Sequence, residues 1–308
     1  MNIVFMGTPD FACECLKQLI ASKHNVLAVY TKQDMPRGRK MVMTPPEVKV
    51  LAQEHNISVY QPATLRDSET VSLLKTLNPD VIAVVAYGKL LPKEVLDIPK
   101  YGCINVHGSL LPKYRGAAPI QWTVLNGDEY GGVTTMYMGE GLDTGDMIET
   151  YKTKVGENET SGELFDRLSV EGGKLLLSTL DLLEKGEAPR IPQNEAEASY
   201  APMLSREISQ VDFDKTANEV HNLVRGLSPW PVAQTTLEGK RVKLITTRVS
   251  KLSGAPGEIV ETSPLTVACG EGSVEILTLQ LEGKKAMDSK AFLMGHRLEK
   301  GQFFGNKV

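Results

Sequence analysis

The segment Asn105-Val106-His107-Gly108-Ser109 carries side chains that could do chemistry. Asn105 and His107 alternate with Ile104 and Val106, and a period of two puts both polar groups on one side of a strand. A buried amide and imidazole cost free energy unless they are hydrogen-bonded or employed. Downstream lies an acidic, glycine-rich loop, Gly139-Glu140-Gly141-Leu142-Asp143-Thr144-Gly145-Asp146. If the strand before it, 132–138, runs parallel to 103–107 or pairs near it, Asp143 can reach His107. A carboxylate there would hold the ring and fix its tautomer. Each feature has a plainer reading by itself. Lone strand-end histidines are mostly satisfied by neighbours, and Asp-Gly turns are common wherever positive φ is needed. Taken together, Asn, His and Asp suit acyl transfer to an amine. Asn donates to the oxyanion, His moves a proton, and Asp holds His and helps take the proton. No serine or cysteine nucleophile is required, because the attacking nitrogen belongs to the substrate.

These residues need a scaffold that brings them together. A short apolar run at 2–6, helical spacing of Phe11, Cys15, Leu16, Leu19 and Ile20, and a second run at 26–30 describe a βαβ unit. The rhythm continues with helices at 48–54 and 68–77 and strands at 58–60 and 81–86. A helix then opens at Leu91 with Pro92 in its first turn, and strand 103–107 follows. Beyond it come a helix at 119–126, the strand at 132–138 and a long helix at 161–183. The run 81–86 is apolar throughout, which predicts burial on both faces and a place at the sheet centre. The pattern predicts an α/β fold with a Rossmann-like, doubly wound, mostly parallel sheet. Residues 186–205 hold Pro189, Pro192 and Pro202 and no periodic apolar pattern, as in a linker. A helix at 216–227 and short β-like runs at 233–237, 242–249, 257–260, 265–269 and 274–279 then predict a small OB-type β-barrel. The expected division is a catalytic domain at 1–188, a linker at 189–207 and a C-terminal domain at 208–308.

Several classes of function are disfavoured. The first turn, Gly7-Thr8-Pro9-Asp10-Phe11-Ala12, lacks the glycines of a dinucleotide fingerprint, and Tyr30-Thr31-Lys32 stands where the ribose-binding acid would be. A formal net charge of -4 argues against a protein that coats nucleic acid. The charge is uneven, however: residues 206–308 hold 14 Lys+Arg against 12 Asp+Glu. The cysteines at 13, 15, 103 and 269 form no CxxC pair and no zinc spacing, so we expect free thiols in a reducing cytoplasm and no metal. No apolar run approaches the ~20 residues that span a membrane. The expectation is a soluble, cytoplasmic monomer.

The motif Asn105-x-His107-x-Ser109-Leu110-Leu111-Pro112, followed by Arg115-Gly116-Ala117-Ala118-Pro119-Ile120-Gln121 and Leu142-Asp143-Thr144-Gly145-Asp146, resembles the formyltransferase family that uses 10-formyltetrahydrofolate. The resemblance implies that Asn105, His107 and Asp143 are catalytic and that Ser109, Leu110, Leu111 and Pro112 contact the folate co-substrate. Gly7-Thr8-Pro9-Asp10-Phe11-Ala12, Trp230-Pro231, Pro256-Gly257 and Gly283-Lys284-Lys285-Ala286-Met287 are similar to landmarks of those members that formylate the methionyl group of initiator tRNA. That likeness spans nearly the whole chain and implies a tRNA partner. The segment 31–49, with Lys32, Arg37, Arg39, Lys40 and Lys49 against Asp34 and Glu47, then reads as a long irregular loop that enters the acceptor stem. Arg37, Arg39 and Lys40 are its candidate tRNA contacts, and Lys240, Arg241, Lys243, Arg248, Lys284 and Lys285 would add phosphate contacts from the barrel. Two alternatives stay open: a small acceptor such as a glycinamide ribonucleotide or an amino sugar nucleotide, and a non-catalytic RNA-binding protein.

Overall fold

The computed structural model describes residues 1–38 and 41–305. Two compact units emerge, and the chain passes between them more than once. The first comprises 1–116, 132–153 and 165–200, and the second 117–131, 154–164 and 201–308. The helices α1 (Asp10–Ile20), α2 (Glu47–Glu54), α3 (Ser68–Leu77), α4 (Lys93–Leu96), α5 (Pro119–Leu125) and α6 (Ser161–Lys185) follow in chain order.

The first unit is built on a seven-stranded sheet. Its strands are β1 (Asn2–Gly7), β2 (Asn25–Tyr30), β3 (Ser58–Tyr60), β4 (Val81–Val85), β5 (Cys103–His107), β6 (Tyr130–Tyr137) and β7 (Met147–Lys154). The spatial order is β7-β6-β5-β4-β1-β2-β3. β1 pairs in parallel with both β2 and β4, β4 with β5, and β2 with β3. The strand order reverses between β1 and β4, so ligand is expected beyond the carboxyl ends there. β4 reads Val-Ile-Ala-Val-Val, is buried at every residue and stands fourth of seven, as its composition predicts.

Two elements depart from the sequence reading, and a third takes a direction which that reading left open. β6 is antiparallel to β5, with Ile104 opposite Tyr137 and His107 opposite Thr134. β7 is not apparent in the sequence because Thr150, Lys152 and Lys154 are exposed and Ile148 alone is fully buried. Pro92 is the N-cap of α4 and lies outside its first turn. α1 buries Phe11, Ala12, Cys15, Leu16 and Leu19, and Phe11 meets Phe165 of α6 edge-on at 5.4 Å. α6 crosses close to the sheet at Gly172, where an added Cβ would lie 3.2 Å from both Phe11 and Val106.

The second unit holds β8 (Ala233–Leu237), β9 (Lys240–Ser250), β10 (Ile259–Thr262), β11 (Leu265–Ala268), β12 (Ser273–Leu281) and β13 (Met287–Asp288). Their order is β8-β9-β12-β11-β10, with β13 on β12, and the pairings are antiparallel. The C-terminal Phe303–Phe304 bridges both edges, Phe304 to Leu237 of β8 and Phe303 to Glu258 just ahead of β10. Val242, Leu244, Val267, Ile276 and Phe304 fill the core. α7 (Ala217–Gly226) opens on a capping box, in which Thr216 and Glu219 each accept the other's backbone N–H. It contributes Val220 and Val224 to that core. A short α8 (Ser289–Gly295) follows β13, capped by Asp288, which accepts from the Ala291 N–H. No helix among the described residues is long and apolar enough to cross a membrane.

Candidate active site

Strand β5 places Asn105 and His107 on one side, as the alternation requires, and both are buried. The antiparallel β6 ends beside the start of β5, away from His107. The loop that follows must therefore turn back, and it does so tightly: a Cβ on Gly145 would overlap the carbonyl of Tyr137. Asp143 sits at the loop's apex with φ +52°, a strained value for a non-glycine residue. Its carboxylate returns to β5. The Asn105 Nδ2 donates to Asp143 Oδ1 at 3.4 Å, and the Gly116 N–H donates to Oδ2 at 2.8 Å.

His107 corrects one expectation. Asp143 Oδ2 lies 3.7 Å from Nδ1, too far for a hydrogen bond, so the carboxylate faces the ring without fixing its tautomer. The carbonyl of Tyr114 does that, at 2.9 Å from Nε2. A carbonyl only accepts, so Nε2 carries a hydrogen, and Nδ1 is the ring nitrogen turned toward Asp143. Tyr114 has φ +61°, and this backbone turn is what aims its carbonyl at the ring.

The turn Ser109-Leu110-Leu111-Pro112 follows His107 after Gly108. It is pinned from within: Ser109 Oγ donates to the Lys113 carbonyl at 2.6 Å. Thr134 Oγ1 donates to the Ser109 carbonyl at 2.7 Å and accepts from the Leu111 N–H at 3.3 Å. Ser109, Leu111 and Pro112 are buried, and Leu110 is partly exposed.

Sequence reading misses the braces behind this centre. Arg115 is 1% exposed, and an unpaired guanidinium at that depth would be costly. It forks onto Glu195 at 2.9 and 2.8 Å, and its Nε and Nη2 donate to Gln193 Oε1 at 3.0 and 2.8 Å. The Arg115 guanidinium holds the exposed Glu195 carboxyl below its usual range. Gln193 Nε2 in turn donates to the carbonyls of Asp143 and Gly145, both at 2.8 Å. Arg115 thus fixes Gln193, and Gln193 fixes the Asp143 loop. The only sequence signal is an arginine beside apolar residues; its partners lie about eighty residues away, in the stretch read as a linker.

The cationic residues divide. The segment expected as an irregular loop forms a small hairpin, with Met35–Arg37 antiparallel to Val42–Thr44. Arg37 lies on its first strand, while Arg39 and Lys40 fall outside the described residues. The hairpin also exposes Met35, Met41, Val42 and Met43. Lys49 is not available there, because it is bound to both oxygens of Asp34 at 2.9 Å and to Gln61. In the second unit, Lys240, Arg241 and Lys243 begin β9, and the turn carrying Lys284 and Lys285 follows β12 at the same end, where Val242 pairs Leu281. Arg248 stands apart at the other end of β9, 3.9 Å from Glu275.

The thiols offer no nucleophile. Burial pushes Cys103 and Cys269 up to about 12 and, with nearby carboxylates, Cys13 to about 11. Among the described residues no group of three or more His, Cys, Asp or Glu is disposed to hold a metal.

Comparison with known proteins shows the family. Residues 1–180 match the family model described as formyl transferase, and residues 203–297 match the formyl transferase C-terminal domain. The chain is 48% identical over 309 residues to a methionyl-tRNA formyltransferase of Citrifermentans bemidjiense, covering 100% of this chain and 97% of that one. It is 49% identical over 311 residues to that of Clostridioides difficile, covering 99% and 100%. Among solved structures, an N-formyltransferase from Helicobacter canadensis with folinic acid and dTDP-3-aminofucose superposes with a TM-score of 0.67 at 19% identity, covering 92% of this chain and 99% of that one. HypX from Aquifex aeolicus with tetrahydrofolic acid gives 0.64 at 18%, covering 98% of this chain and 51% of HypX. Both structures share the fold.

Proposed function

The chain belongs to the formyl transferase family, and from that we propose that it moves the formyl group of 10-formyltetrahydrofolate to the α-amine of methionine on initiator methionyl-tRNA. The observation that carries this reading is the meeting of Asn105, His107 and Asp143 at the carboxyl end of β5.

Each group has a task set by its geometry. Asn105 has two Nδ2 hydrogens; one is turned to Asp143, and the other is free to meet the formyl oxygen as negative charge develops on it. His107, with Nε2–H committed to Tyr114, has only Nδ1 to work with. That nitrogen takes the proton leaving the attacking amine and returns it to the departing folate nitrogen. Asp143 faces Nδ1 as the proton arrives, and its own position is held by the Gly116 N–H and by Gln193. The formyl carbon and the leaving nitrogen come from the folate, and the turn Ser109–Pro112 holds that co-substrate beside His107.

The tRNA reading rests on the relatives' names and on the cations. Arg37 of the hairpin, with Arg39 and Lys40, meets the acceptor end. Lys240, Arg241, Lys243, Lys284 and Lys285 supply phosphate contacts from the second unit, and Arg248 contributes less because Glu275 competes for it. That unit is an OB-type barrel, a reading supported by the Phe303–Phe304 bridges from one sheet edge to the other. The functional division is a catalytic domain at 1–188, a linker at 189–207 and a tRNA-binding domain at 208–308, in a cytoplasmic monomer. The test is to incubate the protein with methionyl-tRNA and a labelled formyl donor. Label on the methionyl amine supports the assignment; no transfer to methionyl-tRNA, or equal transfer to an amino sugar nucleotide, rejects it.

A further inference from the structure

Two lysines gather beyond the carboxyl ends of the central sheet, and the chemistry above uses neither. Lys32 follows β2, and Lys89 lies on the loop after β4. Lys32 Nζ rests against the backbone at Gly88: a Cβ there would sit 2.4 Å from it, at a residue whose φ is +71°. Lys89 Nζ donates to the carbonyls of Pro62 and Ala63, at 2.5 and 2.8 Å. No described carboxylate lies within ion-pair distance of either lysine. Lys49, close by in the chain, is by contrast neutralised by Asp34. Burial, and after it the charge of Lys32, lowers the pKa of Lys89, so the two ammonium groups feel each other. The Thr8 hydroxyl completes the group. It accepts from the Lys32 N–H at 3.4 Å and donates to the Tyr87 carbonyl at 3.3 Å.

Two neighbouring like charges without a counter-ion are unfavourable in the free protein and are relieved when an anion binds. Lys89 is held by two carbonyls, which leaves its third N–H for that anion. We propose that Lys32 and Lys89 form an anion subsite that holds a backbone phosphate of the acceptor's single-stranded 3′ end while the aminoacyl group reaches His107. Two features select a nucleic-acid phosphate. The subsite stands at the root of the cationic hairpin, whose first strand begins at Met35. Its two lysines are also rooted beside the reacting centre and not in it: Lys89 follows β4, one strand step from β5, and Lys32 follows β2, three steps away, roughly 5 and 14 Å at ~4.8 Å per step. A terminal aminoacylated nucleotide can bridge such distances.

This inference rests on the tRNA reading above, and the test separates the two. Binding of methionyl-tRNA is measured at several salt concentrations for the wild type, Lys32→Gln, Lys89→Gln and the double variant. The same tRNA without its 3′-terminal CCA serves as the comparison probe. Each lysine that pairs with a single-strand phosphate should, when replaced, flatten the plot of log K against log salt by about 0.7. The flattening should vanish with the truncated tRNA, on which all four proteins should bind alike. Unchanged slopes with full-length tRNA would overturn the subsite while leaving the function intact. So would a defect confined to the KM of the formyl donor and abolished with a donor lacking its glutamate, which would assign the lysines to the folate carboxylates. If the wild type itself binds neither tRNA, the subsite and the tRNA reading fall together.

Discussion

At the scale of single residues, the proposed centre is a set of donors and acceptors whose proposed roles follow from what each is already bonded to. His107 shows this best: with Nε2–H given to Tyr114, only Nδ1 remains to move a proton. Gln193 touches no reacting atom, yet it fixes two carbonyls of the Asp143 loop. We expect Gln193→Ala to lower kcat by roughly tenfold to a hundredfold, because small misplacements of a catalytic group are costly. KM for either substrate should change little, and the steady-state parameters check this. Asn105, His107 and Asp143 are visible in the sequence because strand alternation and an Asp-Gly turn are local signals. The Tyr114 contact is not, since it depends on a positive φ at a tyrosine, and neither is Gln193, which arrives from about fifty residues beyond Asp143.

At the scale of elements, the direction of β6 decides how the site is assembled. A parallel strand would have delivered its loop straight to His107. The antiparallel strand delivers it to the wrong end, and the loop 138–146 has to fold back across Tyr137. Residue pattern gives the existence and faces of a strand, but its direction is set by its pairing partners. Gly145→Ala should therefore melt several degrees lower and lose most activity, since a methyl would collide with the Tyr137 carbonyl and displace Asp143. Thermal melts beside rate measurements would test it. A second element-scale test lies on α7. Buried His221 meets Thr247 Oγ1 through Nδ1 at 2.9 Å and the Glu157 carbonyl through Nε2 at 3.2 Å. Burial, with the charge of Arg225, pushes its pKa below the ordinary value. The unfolded chain then binds the proton more readily, so the contribution is fully present above about pH 6.5 and is lost as pH falls through the depressed folded pKa. Urea unfolding between pH 8 and 5 should show that decline, and His221→Gln should flatten it.

At the scale of the whole molecule, the proposed tRNA partner asks an acidic protein to meet a polyanion, which it would do by concentrating its cations. Composition shows only a mild excess in the last third. The structure gathers five of the six candidate cations of the second unit at one end of β9 and β12 and leaves Arg248 paired with Glu275. Lys284→Ala and Lys285→Ala should each weaken tRNA binding and reduce the salt slope by about 1, whereas Arg248→Ala should have a smaller effect. Equal slopes for all three would remove the distinction. The α/β character of the first unit was legible because its strands are apolar and its helices amphipathic. The hairpin at 35–44 was not, because three-residue strands carrying a proline and exposed methionines leave no alternation to read.

The central claim is that Asn105, His107 and Asp143 form the formyl-transfer centre. Its most direct test is the single-turnover rate of formyl transfer to methionyl-tRNA at saturating donor, comparing the wild type with Asn105→Ala. The predicted result is a fall of about a hundredfold to a thousandfold in that rate, with tRNA affinity and melting temperature held. Transfer at the wild-type rate in a folded Asn105→Ala protein would contradict the account.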